Sequence, residues 1–153
     1  MEKLTFRQEI NASVQRVYEA MLGLNDKSFY EYWTAPFNPT STYEGTWDEG
    51  SKIYFVGVDE NGNKGGMVSE VIENIPAKRV AVRHYGFLDG DVEVTSGEQV
   101  EKWAGGVEAY NFEVSDGRTI VVVELDTIDD YLEYFKEKYP KALQKLKELC
   151  EKG

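Results

Sequence analysis

The chain has 153 residues, of which 41% are apolar and 13% aromatic, and this composition suits one domain, residues 1–153, with a single core. Its 28 acidic and 17 basic residues give a net charge of -11, which disfavours nucleic acid and anionic membrane surfaces as partners. No apolar run approaches the roughly 18 residues of a membrane span, and the N-terminal residues lack a signal-like apolar segment, so we expect a cytoplasmic location.

The first forty residues predict one strand and two short helices. Residues 4–10 alternate apolar and polar side chains, which is the pattern of a half-buried strand. Ser13 is suited to cap a helix over residues 14–22, and Asp26 to cap a second helix that ends before Pro36.

Residues 42–126 predict strands in series, because runs rich in β-branched and aromatic residues alternate with turn signals. Asn61-Gly62 and Asp116-Gly117 indicate hairpins. The polar, glycine-containing residues 88–106 are instead expected to form an irregular, mobile connection beside the cavity mouth, with Trp103 as an apolar anchor. The six predicted strands are residues 42–47, 52–58, 66–75, 79–87, 107–114 and 118–126.

The last quarter of the chain predicts one long amphipathic helix over residues 127–152. Thr127 and Asp130 have the form of a capping box at its start, and Pro140 predicts a kink or a restart. A helix of this length gains stability when its apolar stripe is buried, so we expect it to pack on the preceding sheet. The stripe consists of Leu132, Phe135, Tyr139, Leu143, Leu146 and Leu149.

Strands in series between terminal helices predict an α+β fold with an antiparallel sheet. A curved sheet wrapped around the long C-terminal helix can enclose a cavity between the two. Side chains alternate across a strand, so the apolar set of each strand is predicted to face this helix, either as plain core packing or as the wall of a ligand site. The predicted cavity residues are Ile53, Phe55, Met67, Val82, His84, Tyr110, Phe112, Phe135 and Tyr139.

His84 is the single histidine and is predicted to point inward. It is suited to bind a ligand or to transfer a proton, and Glu108 shares strand parity with Tyr110, which predicts an inward carboxylate near it. The alternative is a core histidine whose nitrogens are satisfied internally. No Ser or Cys lies near it in sequence, and no nucleophile or nucleotide-binding motif is present, so no catalytic residue is assigned.

Metal and disulfide chemistry have little support in the sequence. Cys150 is the single cysteine, which leaves no intramolecular disulfide and, with one histidine, no zinc site of the usual kind. We expect no metal and no cofactor. The segment 89–126 is the most acidic, with ten Asp and Glu against Lys102 and Arg118, which fits a solvated face or a contact with a basic protein.

Several motifs resemble the START-like (SRPBCC, helix-grip) superfamily, and within it the branch related to the activator of heat shock protein 90 ATPase homologue family. The resemblance covers nearly the whole chain. It is carried by residues 10–18, Trp33, residues 43–51, 69–76 and 84–86, Trp103, Glu108, Tyr110 and residues 139–147.

The resemblance implies a helix-grip fold, in which a curved antiparallel sheet surrounds a long C-terminal helix. Proteins of this superfamily bind lipids, sterols, polyketides and hormones in the sheet–helix cavity, and some are cyclases. Our leading hypothesis is therefore a protein that binds an apolar or amphipathic small molecule without transforming it. The alternatives are a cyclase- or hydrolase-type enzyme using His84 with Glu108 or a tyrosine, and a protein that contacts a chaperone or another partner through its acidic surface.

Overall fold

Eight strands and four helices form within residues 1–152, the part of the chain that this computed structural model describes. The strands are β1 Glu2–Ile10, β2 Thr42–Gly45, β3 Lys52–Val58, β4 Lys64–Ile75, β5 Arg79–Asp89, β6 Val92–Val94, β7 Gly106–Ser115 and β8 Arg118–Thr127. The helices are α1 Val14–Leu22, α2 Lys27–Thr34, α3 Glu98–Glu101 and α4 Leu132–Glu151.

The strands form one antiparallel sheet in the order β1-β8-β7-β5-β4-β3-β2, and β6 pairs with the end of β5. This confirms the predicted α+β fold with an antiparallel sheet gripping a C-terminal helix. Two β-bulges interrupt the β4–β5 pairing, where Tyr85 and Ile72 have no partner in the register. Bulges of this kind bend a strand and increase its twist, which curves the sheet around the helix.

Helix α4 packs against β1, α1 and α2. Its buried residues include Tyr139, Leu143 and Leu146 from the predicted stripe, and Cys150 is also buried. Leu132, Phe135 and Leu149 are half-buried. The three- and four-residue spacing therefore identified the correct helix face, because side chains at that spacing share one side of a helix.

The start of α4 differs from the prediction. Strand β8 continues through Thr127, a short 3-10 turn spans Asp129–Tyr131, and α4 begins at Leu132. The Thr127 hydroxyl contacts the Ile128 carbonyl at 3.4 Å instead of capping the helix. Helix α4 also continues through Pro140 without a restart, although proline has no N–H to donate to the Lys136 carbonyl.

The connection 88–106 is more regular than predicted. Its first residues extend β5, β6 pairs beside them, and α3 follows. These pairings form because β7 covers β5 only from Arg79 to His84, which leaves the last residues of β5 free to bond another strand. Val100 is fully buried in this segment, whereas Trp103 is half-buried.

Aromatic residues fill much of the core between the sheet and the helices. The Tyr30 ring contacts Trp33, Tyr43, Trp47 and Phe55 with centroid distances from 5.0 to 6.3 Å. Edge-on and tilted contacts of this kind add to the free energy of burial. No helix within residues 1–152 combines the length and the apolar character needed to cross a membrane.

Candidate functional site

The nine predicted cavity residues separate into a deep group and a shallow group. The deep apolar and tyrosine members are 6% exposed or less, and the His84 side chain is 12% exposed. Phe55, Met67 and Phe135 are half-buried. The deep group consists of Ile53, Val82, His84, Tyr110, Phe112 and Tyr139.

An open cleft of about 810 Å³ lies at the end of the β3–β4 hairpin. Phe55 and Met67 line it, and the other predicted cavity residues lie outside its lining. The walls also include residues from the loop before β2 and one tyrosine of α4. The apolar residues of the lining are Phe37, Phe55, Val56, Val58, Met67 and Tyr134.

Three glycines of β3 and β4 belong to the lining of this cleft. Gly57 and Gly65 pair directly across β3 and β4, so neither strand contributes a side chain at that position. Gly66 has φ +154°, and a Cβ there would lie 2.0 Å from the Phe55 carbonyl oxygen. At position 66 the backbones of β3 and β4 therefore lie closer together than any residue with a side chain allows.

The loop before β2 forms the opposite wall. The Asn38 side-chain amide donates to the Val58 carbonyl at 3.1 Å, and the Val58 N–H donates to the Thr40 hydroxyl at 2.8 Å. These bonds hold Phe37 over the cleft. Its ring also contacts the ring of Tyr134 in α4, with the two centroids 6.4 Å apart. Sequence reasoning missed Phe37 and Tyr134, since neither lies on a predicted strand. The one local signal is an aromatic residue between two prolines, at positions 36 and 39.

A buried polar network lies behind the cleft. The Ser69 hydroxyl is 2.5 Å from His84 Nδ1, and His84 Nε2 is 3.0 Å from Glu108 Oε1. The Tyr139 hydroxyl donates to the other Glu108 oxygen. A neutral His84 with its proton on Nε2 satisfies both contacts, by accepting from Ser69 and donating to Glu108. The structure thus places the Glu108 carboxylate against His84, as strand parity predicted.

Serine, histidine and glutamate in series have the composition of a hydrolase triad, but the geometry differs. Ser69 is 0% exposed, so a substrate carbonyl has no access to its hydroxyl. Both His84 nitrogens are already bonded. The arrangement therefore satisfies polar groups within the core. Ser69 escaped sequence reasoning because its contact with His84 depends on the β4–β5 register, in which the two residues pair directly.

Burial controls the ionisation of the neighbouring tyrosines. Burial raises the pKa of Tyr139 well above its ordinary value, and the nearby Glu108 charge raises it further. The same two causes raise the pKa of Tyr110. Both phenols consequently remain neutral, and the Tyr139 hydroxyl acts as a hydrogen-bond donor rather than as a base.

Two phenylalanines separate the cleft from the polar network. Phe55 lines the cleft and contacts the His84 ring edge-on at 5.9 Å. Phe37 lines the cleft and contacts the Tyr139 ring at 5.0 Å. Within residues 1–152 no three His, Cys, Asp or Glu side chains converge as a metal site requires.

No family model and no curated protein matches the sequence, but solved structures match it along its length. The solution structure of the Aha1 dimer from Colwellia psychrerythraea is 23% identical with a TM-score of 0.71, and the match covers 100% of this chain and 98% of that one. An uncharacterised protein from Rhizobium leguminosarum is 16% identical with a TM-score of 0.71, covering 99% and 95%. CalU16 from Micromonospora echinospora is 15% identical with a TM-score of 0.65, covering 97% and 74%. The chain therefore has the helix-grip fold that its motifs predicted, and it shares that fold with an Aha1 structure.

Proposed function

We propose that this protein binds a small amphipathic molecule in the cleft at the end of the β3–β4 hairpin. The observation that carries the proposal is the cleft itself, an open space of about 810 Å³ whose lining includes the apolar residues Phe37, Phe55, Met67 and Tyr134. Ligand sites in proteins commonly have volumes of about 300–1,000 Å³ and mostly apolar walls with a few polar groups.

The lining favours an amphipathic molecule over a wholly apolar one. Phe55 and Met67 offer an apolar wall on the strands, and Phe37 faces them from the loop. The polar residues Asn38 and Asp59 belong to the lining of the same cleft. A ligand with an apolar body and one polar end satisfies both parts of this lining.

The surroundings of His84 favour binding without chemical transformation. An acid–base mechanism needs a base within hydrogen-bond reach of the substrate, and both nitrogens of His84 are engaged in the core behind Phe55. For the enzymatic alternative, in which His84 acts with Glu108, Phe55 and Phe37 would have to swing away from the network first.

A neutral fluorescent probe tests the proposal. N-phenylnaphthylamine should bind the folded protein with increased fluorescence, and Met67→Trp should weaken binding about tenfold or more, roughly 1.4 kcal/mol, by filling the cleft. Val114→Trp is the matched control, because Val114 is 65% exposed and lies near the opposite end of the sheet. Equal affinity in both variants, or no binding to the parent protein, would contradict the proposal.

The acidic surface supports a second candidate function, contact with a chaperone or another basic protein. Seven of the ten acidic residues of segment 89–126 are exposed. The fold shared with an Aha1 structure is compatible with such a role. A partner that co-purifies with the protein at low salt and is lost at high salt would support it, because screening weakens contacts between exposed charges. The exposed acidic residues are Asp89, Asp91, Glu93, Glu98, Glu101, Glu113 and Asp116.

A further inference from the structure

Three charged residues belong to the lining of the cleft, and two of them are acidic. They are Asp59, Lys64 and Asp89. Because the cleft is open to solvent, the charge at its rim acts on the polar end of a ligand before and after that ligand enters.

The one lysine of the lining is already paired. Its ammonium lies 3.2 Å from a Glu44 carboxylate oxygen and 3.4 Å from an Asp91 carboxylate oxygen. Lys64 thus faces two acidic residues before any ligand arrives. An anionic head group would have to compete with both carboxylates for this lysine.

Neither of the two aspartates, Asp59 and Asp89, is paired with Lys64. Asp59 accepts hydrogen bonds from the backbone N–H groups of Asn61 at 2.8 Å and Asn63 at 2.9 Å. These bonds, the one from Asn63 foremost, lower the pKa of Asp59. Within residues 1–152 the Asp89 carboxylate has no ion-pair partner and no side-chain hydrogen bond.

The aromatic residues of the cleft add a second attraction for a cation. Phe37 and Tyr134 meet at one corner with ring centroids 6.4 Å apart, and Phe55 lies on the facing strand. A quaternary ammonium bound against aromatic faces is stabilised by their negative π-surfaces. Carboxylates and aromatic rings together therefore favour the same kind of head group.

We propose that the molecule bound in this cleft is an amphiphile with a cationic, amine or quaternary ammonium head, and that fatty acids and other anionic amphiphiles are disfavoured. The inference rests on the proposed function, since it assigns the ligand class of the same cleft. A general apolar site would rank ligands by their apolar area alone, whereas this cleft should also rank them by the charge of the head group.

Three competitors with the same chain and different heads test this inference against bound N-phenylnaphthylamine. Octyltrimethylammonium should displace the probe at the lowest concentration, n-octanol next and octanoate last. We expect about threefold to tenfold between successive members, as for one partly screened charge contact. All three should be used below the concentrations at which they form micelles or unfold the protein.

Variants that remove charge show which residues cause the preference for a cationic head group. The double variant Asp59→Asn/Asp89→Asn should reduce the preference for octyltrimethylammonium over octanoate to about threefold or less. The matched control is Glu113→Gln/Asp116→Asn, which removes the same charge from exposed positions at the β7–β8 end of the sheet. The control should retain the full preference if the rim carboxylates are its source, rather than the overall charge of -11.

Each outcome separates this inference from the proposed function. Failure of the probe to bind defeats both. Probe binding with equal displacement by all three competitors, or with octanoate as the strongest competitor, leaves the cleft as a binding site and overturns the cationic ligand. An equal loss of preference in the two double variants also overturns it, because the selectivity would then come from the net charge.

Discussion

The two ends of the sheet differ in what covers their inner face. Under α4 the inner face is closed, and Val121 and Val123 of β8 are 0% exposed. At the β3–β4 hairpin the inner face is open, and Phe55 and Met67 are half-buried beside the cleft. One sheet therefore provides a packed core at one end and an accessible wall at the other.

Side-chain size explains the difference. On the closed side, Tyr139 of α4 stacks on Phe6 of β1 with centroids 4.8 Å apart, so helix and sheet meet without a gap. On the open side, Gly57 and Gly65 face each other across two strands. Close packing stabilises the first region. In the second, the absent side chain of Gly65 leaves space, whereas Asn38 fills the space beside Gly57.

The largest expected effect belongs to the closed region. Leu143→Ala should lower the free energy of unfolding by about 2–5 kcal/mol, because this leucine is 1% exposed and its loss leaves a cavity. Gln144→Ala, its exposed neighbour on α4, should change the free energy of unfolding by less than about 0.5 kcal/mol. Urea unfolding followed by circular dichroism measures both. Equal losses would mean that α4 packs through a different face.

At the open end, alanine substitutions at two neighbouring glycines should differ in their effect on stability. Gly66→Ala should cost about 2–4 kcal/mol, because its backbone is in the left-handed region and the new Cβ meets the Phe55 carbonyl. Gly65→Ala should change stability by less than about 1 kcal/mol, because its nearest neighbour would be the Leu88 carbonyl at an ordinary 3.7 Å. Thermal unfolding of the pair measures the difference. Similar melting temperatures would contradict this view of the hairpin.

A substitution in the polar network should cause an intermediate loss in the free energy of unfolding. Glu108→Ala removes the acceptor of His84 and Tyr139, and it should cost about 1–3 kcal/mol because both donors then lack a partner in the core. Glu113→Ala, an exposed change on the same strand, should cost less than about 0.5 kcal/mol. The comparison is again made by urea unfolding. If Glu108→Ala left the free energy of unfolding unchanged, the network would be dispensable for stability.

The smallest effect concerns Cys150. Burial raises the pKa of its thiol from 9.0 to about 11. The folded state thus favours the protonated thiol, and the stability that this provides is fully present below about pH 9 and is lost as the pH rises toward 11. At pH 8 iodoacetamide should alkylate Cys150 far more slowly in the native protein than in urea. Equal rates would show that the end of α4 is open.

Sequence patterns predict the closed region better than the open one. The spacing of Tyr139, Leu143 and Leu146 identifies the buried helix face, and strand parity turns Glu108 toward His84, because both follow from local geometry. The cleft depends on Phe37 from a loop and Tyr134 from α4, which meet only in the folded chain. No local periodicity brings these residues together, so their meeting was not predictable.

The β4–β5 register shows the same limit in the core. Parity predicted Val82 and His84 as inward residues, but the partner of His84 depends on which residue of β4 lies opposite. Two bulges shift that register, and hairpin turns alone do not fix it. Likewise, β6 forms because β7 leaves the end of β5 uncovered, a tertiary condition that residues 88–106 do not reveal.

The most direct test of the binding cleft is a titration with N-phenylnaphthylamine followed by amide chemical shifts in NMR spectra. Binding in the cleft should move the signals of Phe37, Phe55, Met67 and Tyr134 and leave those of Val121 and Val123 unchanged. Shifts confined to the closed end, or no shifts up to the solubility of the probe, would contradict a ligand site at the β3–β4 hairpin.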